Sequence, residues 1–166
     1  MGQTARIAYS VRLRPLEPSD RAAVRDLVLA GLADRWGTEA DPALNDDLDD
    51  LPAAHPASTT LVAVTDDGAI VGTGTIVPRD GGTAEIVRMS VAKSRRGAGI
   101  GRLIVDALVD VARIAEPPIN RVVLETTATW QDAIRFYERC GFVITHHADG
   151  AFGRDAWFER QLTPVP

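Results

Sequence analysis

The sequence predicts an α/β fold built on a mixed sheet, and three features of the chain carry that reading. From Thr60 the apolar period shortens to that of strands: TTLVAVT, an Asp66-Asp67-Gly68 turn and AIVGTGTIVPR form a hairpin, because Asp-Gly tolerates positive φ. A helix-period run begins at Ile100, with Ile100, Leu103, Ile104, Ala107, Leu108 and Val111 on one face and Pro117-Pro118 beyond its end. RVVLETT, Arg121 to Thr127, follows that helix and must lie parallel to the strand before it, because a helical crossover joins the two.

The remaining elements follow in order. VRLRP at 11–15 alternates apolar and basic residues before a proline, which suits a short first strand. Ser19 or Asp20 can cap a helix carrying Val24, Leu27, Val28 and Leu32 at steps of three and four, with Gly31 and Gly37 available to end it. The acidic, proline-bounded stretch DPALNDDLDDLPAAHPAS reads as a loop holding at most one short helix. After the hairpin, a turn at Arg79-Asp80-Gly81-Gly82 leads into the strand AEIVRMSV, so three antiparallel strands run consecutively. Trp130 to Cys140 is helical and ended by Gly141, and FVITHHA and AWFERQL, separated by Asp149-Gly150, close the chain as a hairpin. No repeat or low-complexity segment interrupts this order.

Composition bounds the function. A chain of 166 residues, 45% hydrophobic and 25% charged, fits one globular domain over residues 1–166 that buries roughly two thirds of its unfolded surface. A formal charge of -5 argues against nucleic acid as a partner, although Arg95, Arg96 and Arg102 form a local basic patch. Lys93 is the one lysine among eighteen basic residues. The single cysteine, Cys140, forms no internal disulfide and has no metal-ligand spacing around it, so no metal is expected. MGQTARIAYS has no apolar core of signal-peptide length and no run reaches the roughly 20 apolar residues of a membrane helix, so the expectation is a cytoplasmic protein without a membrane partner.

The chemistry concentrates in SVAKSRRGAGIGRLIVDALVDVAR, residues 90–113, where two arginines and three closely spaced glycines stand between a strand and a helix. Glycine lets the backbone approach an anion closely, the start of a helix carries partial positive charge, and Arg95 and Arg96 add full charges. The inferred ligand is a phosphate or pyrophosphate. The spacing G-x-G-x-G is not that of a dinucleotide fingerprint, and the G-K-[ST] ending of a nucleoside-triphosphate loop is missing.

These residues resemble the GCN5-related N-acetyltransferases (GNAT). The acetyl-CoA signature [QR]-x-x-G-x-[GA] of that family is met by Arg96, Gly99 and Gly101, and its later A-x-x-F-Y and G-F by Ala133, Phe136, Tyr137, Gly141 and Phe142. The element order β-α-(α)-β-β-β-α-β-α-β-β is also similar to that family, least so over residues 41–58. The resemblance implies an acyl-CoA N-acyltransferase fold whose fourth and fifth strands splay apart. It implies that the amides of Arg95, Arg96, Gly97, Ala98, Gly99, Ile100, Gly101 and Arg102 surround the pyrophosphate of acetyl-CoA. The pantetheine arm would bond to the main chain at Met89, Ser90 and Val91, with Thr127 and Phe136 beside it.

Acetyl transfer to an amine needs a neutral nucleophile, a donor to the developing oxyanion and an acid for the departing thiolate. Tyr137 matches the family tyrosine that protonates the sulfur, and Phe136, its helix neighbour, is expected to pack inward. Glu85 resembles the strand glutamate that serves as general base in histone-type members; a solvated or Arg88-paired glutamate is the plain alternative, and Glu125 competes for the role. Trp130 stands where the family commonly has the asparagine that contacts pantetheine or water; Thr126 or Thr127 could replace that contact, and Trp130 either walls the site or packs as core.

On the acceptor side the resemblance points to residues 36–51 and 146–157. Trp36, Arg88 and Trp130 are candidate substrate-binding residues. Asp46, Asp47, Asp49 and Asp50 either attract a cationic amine or form a solvated face, while Arg88 could grip a substrate carboxylate as a bidentate pair. His146 and His147, adjacent on a strand, point oppositely and make no metal pair. The expected function is an acetyl-CoA-dependent N-acetyltransferase acting on a primary amine of a small molecule by direct attack in a ternary complex. Acetylation of a protein or peptide amine and a catalytically silent CoA-binding sensor stand as alternatives. The edge of the terminal hairpin offers a surface for a homodimer.

Overall fold

The structure is a computed structural model that describes residues 10–163; all but the last residue of the stretch read for a leader lies outside the described residues. Seven strands, β1 (Val11–Pro15), β2 (Thr59–Thr65), β3 (Ile70–Pro78), β4 (Thr83–Val91), β5 (Arg121–Thr127), β6 (Val143–Gly150) and β7 (Gly153–Gln161), form one sheet in the order β1-β2-β3-β4-β5-β7-β6. Among the described residues four helices, α1 (Arg21–Trp36), α2 (Leu51–Ala54), α3 (Ile100–Arg113) and α4 (Gln131–Arg139), are inserted between them. β4 and β5 are parallel, whereas β1–β2, β5–β7 and β6–β7 are antiparallel. The α/β class with a mixed sheet and the element order read from the sequence are those observed.

The chain forms two compact units, one from described residues 10–75 and 88–104, the other from 76–87 and 105–163. In the first, Val24 and Val28 of α1 cluster with Val62 and Val64 of β2 and with Leu48 and Leu51, all buried. Each such side chain contributes roughly 1.5–3 kcal/mol by leaving water, which draws the 3.6-residue stripe of α1 into a cluster with Val62 and Val64 of β2, a strand buried along both faces from Thr60 to Thr65. Asp20 precedes α1 and is 7% exposed; it accepts from the Glu17 amide at 2.8 Å and from Arg14 Nη1 and Nη2 at 2.6 and 3.0 Å. Hydrogen bonding to Arg14 holds its carboxyl below the usual range despite the opposing push of burial. Gly37, at φ +68°, ends α1 and donates to Ala33 O at 2.9 Å.

Residues 41–58 are more ordered than their composition suggests. Pro42–Leu44 and Asp46–Asp49 form 3-10 turns and Leu51–Ala54 is a single helical turn. Asp41 and Asp50 cap these pieces by accepting from the Ala43 and Ala53 amides at 2.9 and 3.3 Å. The acidic run is therefore partly a capping device. Asp47, Asp49 and Asp50 are moreover ion-paired with Arg88, Arg25 and Arg21 at 2.5, 2.9 and 3.2 Å rather than forming a merely solvated face.

In the second unit the buried residues include Val105, Leu108, Val109 and Ala112 of α3, Val122 and Leu124 of β5, and Ala156 and Phe158 of β7. The buried stripe of α3 thus runs through Ile100, Ile104, Val105, Leu108, Val109 and Ala112, and Leu103, expected on that face, is 44% exposed. The closing hairpin turns at residues 151–152, so Asp149-Gly150 belongs to β6 and not to the turn. β6 ends the sheet with most of its residues exposed. No helix of the described residues is long and apolar enough to cross a membrane.

Candidate functional site

In the first unit, β4 runs into the glycine loop. Lys93–Arg95 forms a 3-10 turn, Gly97 and Gly99 adopt φ of +80° and +86°, and α3 begins at Ile100 with Gly99 O accepting from Leu103 N at 3.1 Å. The first amides of an α-helix have no acceptor within it, so the amides at Ile100, Gly101 and Arg102 point out of the helix start. Left-handed backbone at Gly97 and Gly99 turns the loop around that point, a conformation a side chain would strain by about 1–2 kcal/mol. Such a cradle could hold an anion's oxygens.

Arg96 is oriented by its neighbours. Nε donates to Val91 O at 3.3 Å and Nη1 to Asp34 Oδ2 at 2.9 Å, while Lys93 Nζ donates to Asp34 Oδ1 at 2.8 Å. Hydrogen bonds from Lys93 and then Arg96 hold the Asp34 carboxyl below its usual range. Asp34, near the end of α1, thus ties Lys93 and Arg96 of the loop to that helix. Sequence reading missed it, because nothing local marks an aspartate sixty residues away. Arg95 and Ala98 are half-buried and Arg102 is exposed.

Met89, Ser90 and Val91 are half-buried on β4. Ser90 Oγ donates to Leu27 O at 3.4 Å, and a Cβ placed on Gly31 would stand 2.8 Å from that oxygen. Gly31, expected as a helix end, lies instead inside α1 and lets the helix approach β4. Arg88, one residue before Met89, has φ +54°. For a residue with a side chain this costs on the order of 1–3 kcal/mol, and it interrupts the strict alternation expected along β4. Its guanidinium is held by Asp47 and Asn45, not free beside the strand as expected for a carboxylate grip.

In the second unit the parallel pairing runs only from Thr83–Arg121 to Glu85–Val123, whereas β5 pairs with β7 over its whole length from Arg121 to Thr127. Arg121 fastens the closed end: Nε and Nη2 donate to Thr83 Oγ1 at 3.1 and 3.0 Å and Nη1 to Glu159 at 3.3 Å.

Glu85 is paired with neither solvent alone nor Arg88. Arg79 Nη2 and Nε both donate to its Oε1, at 2.7 and 3.0 Å, across the turn between β3 and β4. Glu125 differs. Although its side chain reaches solvent, desolvation by the sheet around its carboxyl, then the charges of Asp155 and Glu85, raise its pKa above the usual carboxylate range. The register explains the crowding: Glu85 lies opposite Val123, Glu125 opposite Trp157 and Thr127 opposite Asp155, so all share one face of the sheet.

Tyr137 on α4 is 9% exposed and packs edge-on against Phe136 and Phe142 and tilted against Phe158, with ring centroids at 5.0, 6.2 and 5.8 Å. Phe136 is half-buried, so the inward member of the pair is the tyrosine, opposite to expectation. The extra partner is Phe142, which the glycine at 141 (φ +88°) folds back beneath the helix. Trp130 is half-buried at the start of α4; its N–H donates to Thr127 O at 3.0 Å and its carbonyl accepts from Ile134 N at 3.0 Å. Trp36, at the end of α1, is 39% exposed. His146 stacks on Trp157 with centroids 5.9 Å apart, and no group of His, Cys, Asp or Glu among the described residues is arranged to hold a metal ion.

Comparison with known proteins agrees with this arrangement. Residues 21–142 match the acetyltransferase (GNAT) family. The chain is 31% identical over 110 residues to an IAA acetyltransferase from Azospirillum brasilense, covering 66% of this chain and 71% of that one. It is 33% identical over 125 residues to the N-acetyltransferase YjgM of Escherichia coli, covering 73% and 70%. A GNAT-family acetyltransferase structure from Staphylococcus aureus superposes with a TM-score of 0.81 at 19% identity, covering 92% of this chain and 99% of the other. Spermidine N-acetyltransferase from Vibrio cholerae, solved with CoA and spermine, gives 0.70 at 18% identity, covering 92% and 95%. With a family match over most of its length and relatives above 30% identity, the chain belongs to the GNAT acetyltransferase family.

Proposed function

We propose that this acetyltransferase takes its acetyl group from acetyl-CoA and transfers it to a primary amine of a small molecule, by direct attack in a ternary complex. The observation that carries the cofactor assignment is the loop at 96–101, where left-handed Gly97 and Gly99 lead into the start of α3. Backbone amides there suit a pyrophosphate, and Arg96 and Lys93 suit its charge, although Asp34 shares both cations. The half-buried segment Met89, Ser90 and Val91, which leads directly into the glycine loop, suits an amide-bearing arm laid along its main chain. The thioester supplies an acyl carbon open to attack and a thiolate leaving group.

Tyr137 is the proposed acid, donating its phenolic proton to the departing sulfur. Its ring is held in place by packing on Phe142 and Phe158. For the base, Glu125 is better placed than Glu85. A carboxylate with a raised pKa accepts a proton from an ammonium more readily, whereas Oε1 of Glu85 is already occupied by two N–H groups of Arg79. Thr127 and Trp130, on the stretch between Glu125 and Tyr137, would wall this side. A small-molecule acceptor is supported by the names of the relatives, one an IAA acetyltransferase and one a spermidine N-acetyltransferase.

The test is amine-dependent release of free thiol from acetyl-CoA over a panel of amino acids, polyamines and amine-bearing antibiotics, with product mass recorded. A gain of one acetyl group on a panel amine supports the proposal. Thiol release that no amine accelerates, or an acetylated peptide as the preferred product, contradicts it.

A further inference from the structure

Arg88 is committed within the protein. Its Nε and Nη2 donate to the two carboxylate oxygens of Asp47 at 2.9 and 2.5 Å, and Nη1 donates to Asn45 Oδ1 at 2.8 Å. Asn45 is 8% exposed and is itself fixed, its Nδ2 donating to Asp41 O at 2.7 Å. Asp47 also faces His55 Nε2 at 3.2 Å. Burial pushes the Asp47 carboxyl up, but the bonds from Arg88 and His55 outweigh it and hold it low. Two residues of this segment, Leu48 and Leu51, are buried in the core with Val24 and Val28, so the polar clamp and the apolar anchor act on the same short stretch. The residue at the other end of the clamp has left-handed backbone, at φ +54° in the middle of β4.

We propose that Arg88 is a positioning residue: it locks residues 45–55 onto β4, holds its own backbone where the alternation of the strand breaks, and is thereby withheld from any acceptor carboxylate. This rests on the acetyltransferase reading above. A carboxylate arriving from solution would have to displace Asp47, already tethered in bidentate geometry, and would leave the buried Asn45 carbonyl without its donor. Lysine cannot take over, because a single ammonium does not span both Asp47 oxygens and Asn45. The acceptor is accordingly selected by the shape that residues 45–55 give the site, not by a charge pair with Arg88.

The experiment compares the full-length parent with Arg88→Lys, Arg88→Ala and Asp47→Asn by hydrogen exchange, acetyl-CoA titration and steady-state kinetics on carboxylate-bearing and carboxylate-free amines. All three variants should speed amide exchange over residues 45–55 by on the order of tenfold while β2 amides stay protected. Acetyl-CoA affinity should stay within about threefold of the parent, and KM should rise for both amine classes with kcat little changed. Asp47→Asn, which keeps the shape of the side chain, decides the matter if Arg88→Ala does not fold. Unchanged exchange in the Asp47 and Arg88 variants would overturn the clamp. So would a KM increase confined to carboxylate-bearing amines in Arg88→Ala with improvement in Asp47→Asn, since that pattern marks a substrate anchor. A parent that fails to bind acetyl-CoA would overturn the acetyltransferase reading itself, an outcome distinct from an unchanged exchange pattern in a parent that binds it.

Discussion

Arg79 and Glu85 face each other across the turn between β3 and β4, with two guanidinium N–H groups on one carboxylate oxygen at 2.7 and 3.0 Å. Burial first, then the charges of Asp155 and Glu85, raise the pKa of Glu125. The two glutamates are coupled, and the coupling has a sign that can be measured. Glu85→Gln removes a negative charge near Glu125, so the acidic limb of the kcat/KM profile should move to lower pH while most activity remains. Glu125→Gln should cost about 10²-fold or more in kcat/KM and abolish that limb. Equal losses in both variants, with no movement of the limb, would count against Glu125 as base.

Tyr137→Phe keeps the ring that packs on Phe142 and Phe158 and removes only the hydroxyl. Its stability should change by about 1 kcal/mol or less, since the packing is intact. Turnover should fall by about 10²-fold or more at neutral pH with acetyl-CoA affinity preserved. Denaturant unfolding and steady-state kinetics on one preparation separate the two effects.

The approach of α1 to β4 predicts a non-additive pair. Gly31→Ala places a methyl 2.8 Å from Ser90 Oγ, an overlap worth roughly 1–3 kcal/mol that more than offsets the ~1 kcal/mol gained by alanine in a helix. Ser90 Cβ is 4.0 Å away, so Ser90→Ala should relieve the overlap. The double variant should be at least as stable as the parent, while Gly31→Ala alone is destabilised. Additive effects in urea unfolding would show that the contact is not what places the helix.

How much of this was legible follows from the range of each signal. Strand and helix periods, the Asp66-Asp67-Gly68 turn and the glycines at 97, 99 and 101 are local, and the elements they mark are where they were expected. The partners of Glu85, Arg88 and Arg96 are set by register and tertiary packing. Arg88 and Asp47 stand 41 residues apart with nothing between them to announce the pair. The acidic run at 46–50 looked like a charged face because composition does not distinguish a capping aspartate from a solvated one. Phe136 and Tyr137 were assigned opposite burial because helical period alone does not know that Phe142 folds back under the second of them.

Acid should destabilise the fold through Asp20. Its pKa is lowered in the native state by the Arg14 bonds, so the unfolded chain binds the proton more readily. The stability it confers is fully present above the ordinary aspartate pKa of 3.8 and is lost as pH falls below that value toward the depressed native one. Asp20→Asn should cost about 1–3 kcal/mol at pH 7, because the Glu17 amide and the Arg14 fork lose a buried charged acceptor. The difference from the parent should shrink as the pH is lowered below 4, as denaturant melts across that range would record.

The account stands or falls on the loop at 96–101, and calorimetric titration with acetyl-CoA tests it most directly. The parent should bind acetyl-CoA with a dissociation constant on the order of micromolar, corresponding to about 8 kcal/mol. An Arg96→Ala, Gly99→Val double variant that remains folded by circular dichroism should give no measurable heat at the same concentrations. A parent that shows neither heat nor a thermal shift, or a folded double variant that binds as tightly as the parent, would contradict the assignment of this loop to the pyrophosphate and the mechanism built upon it.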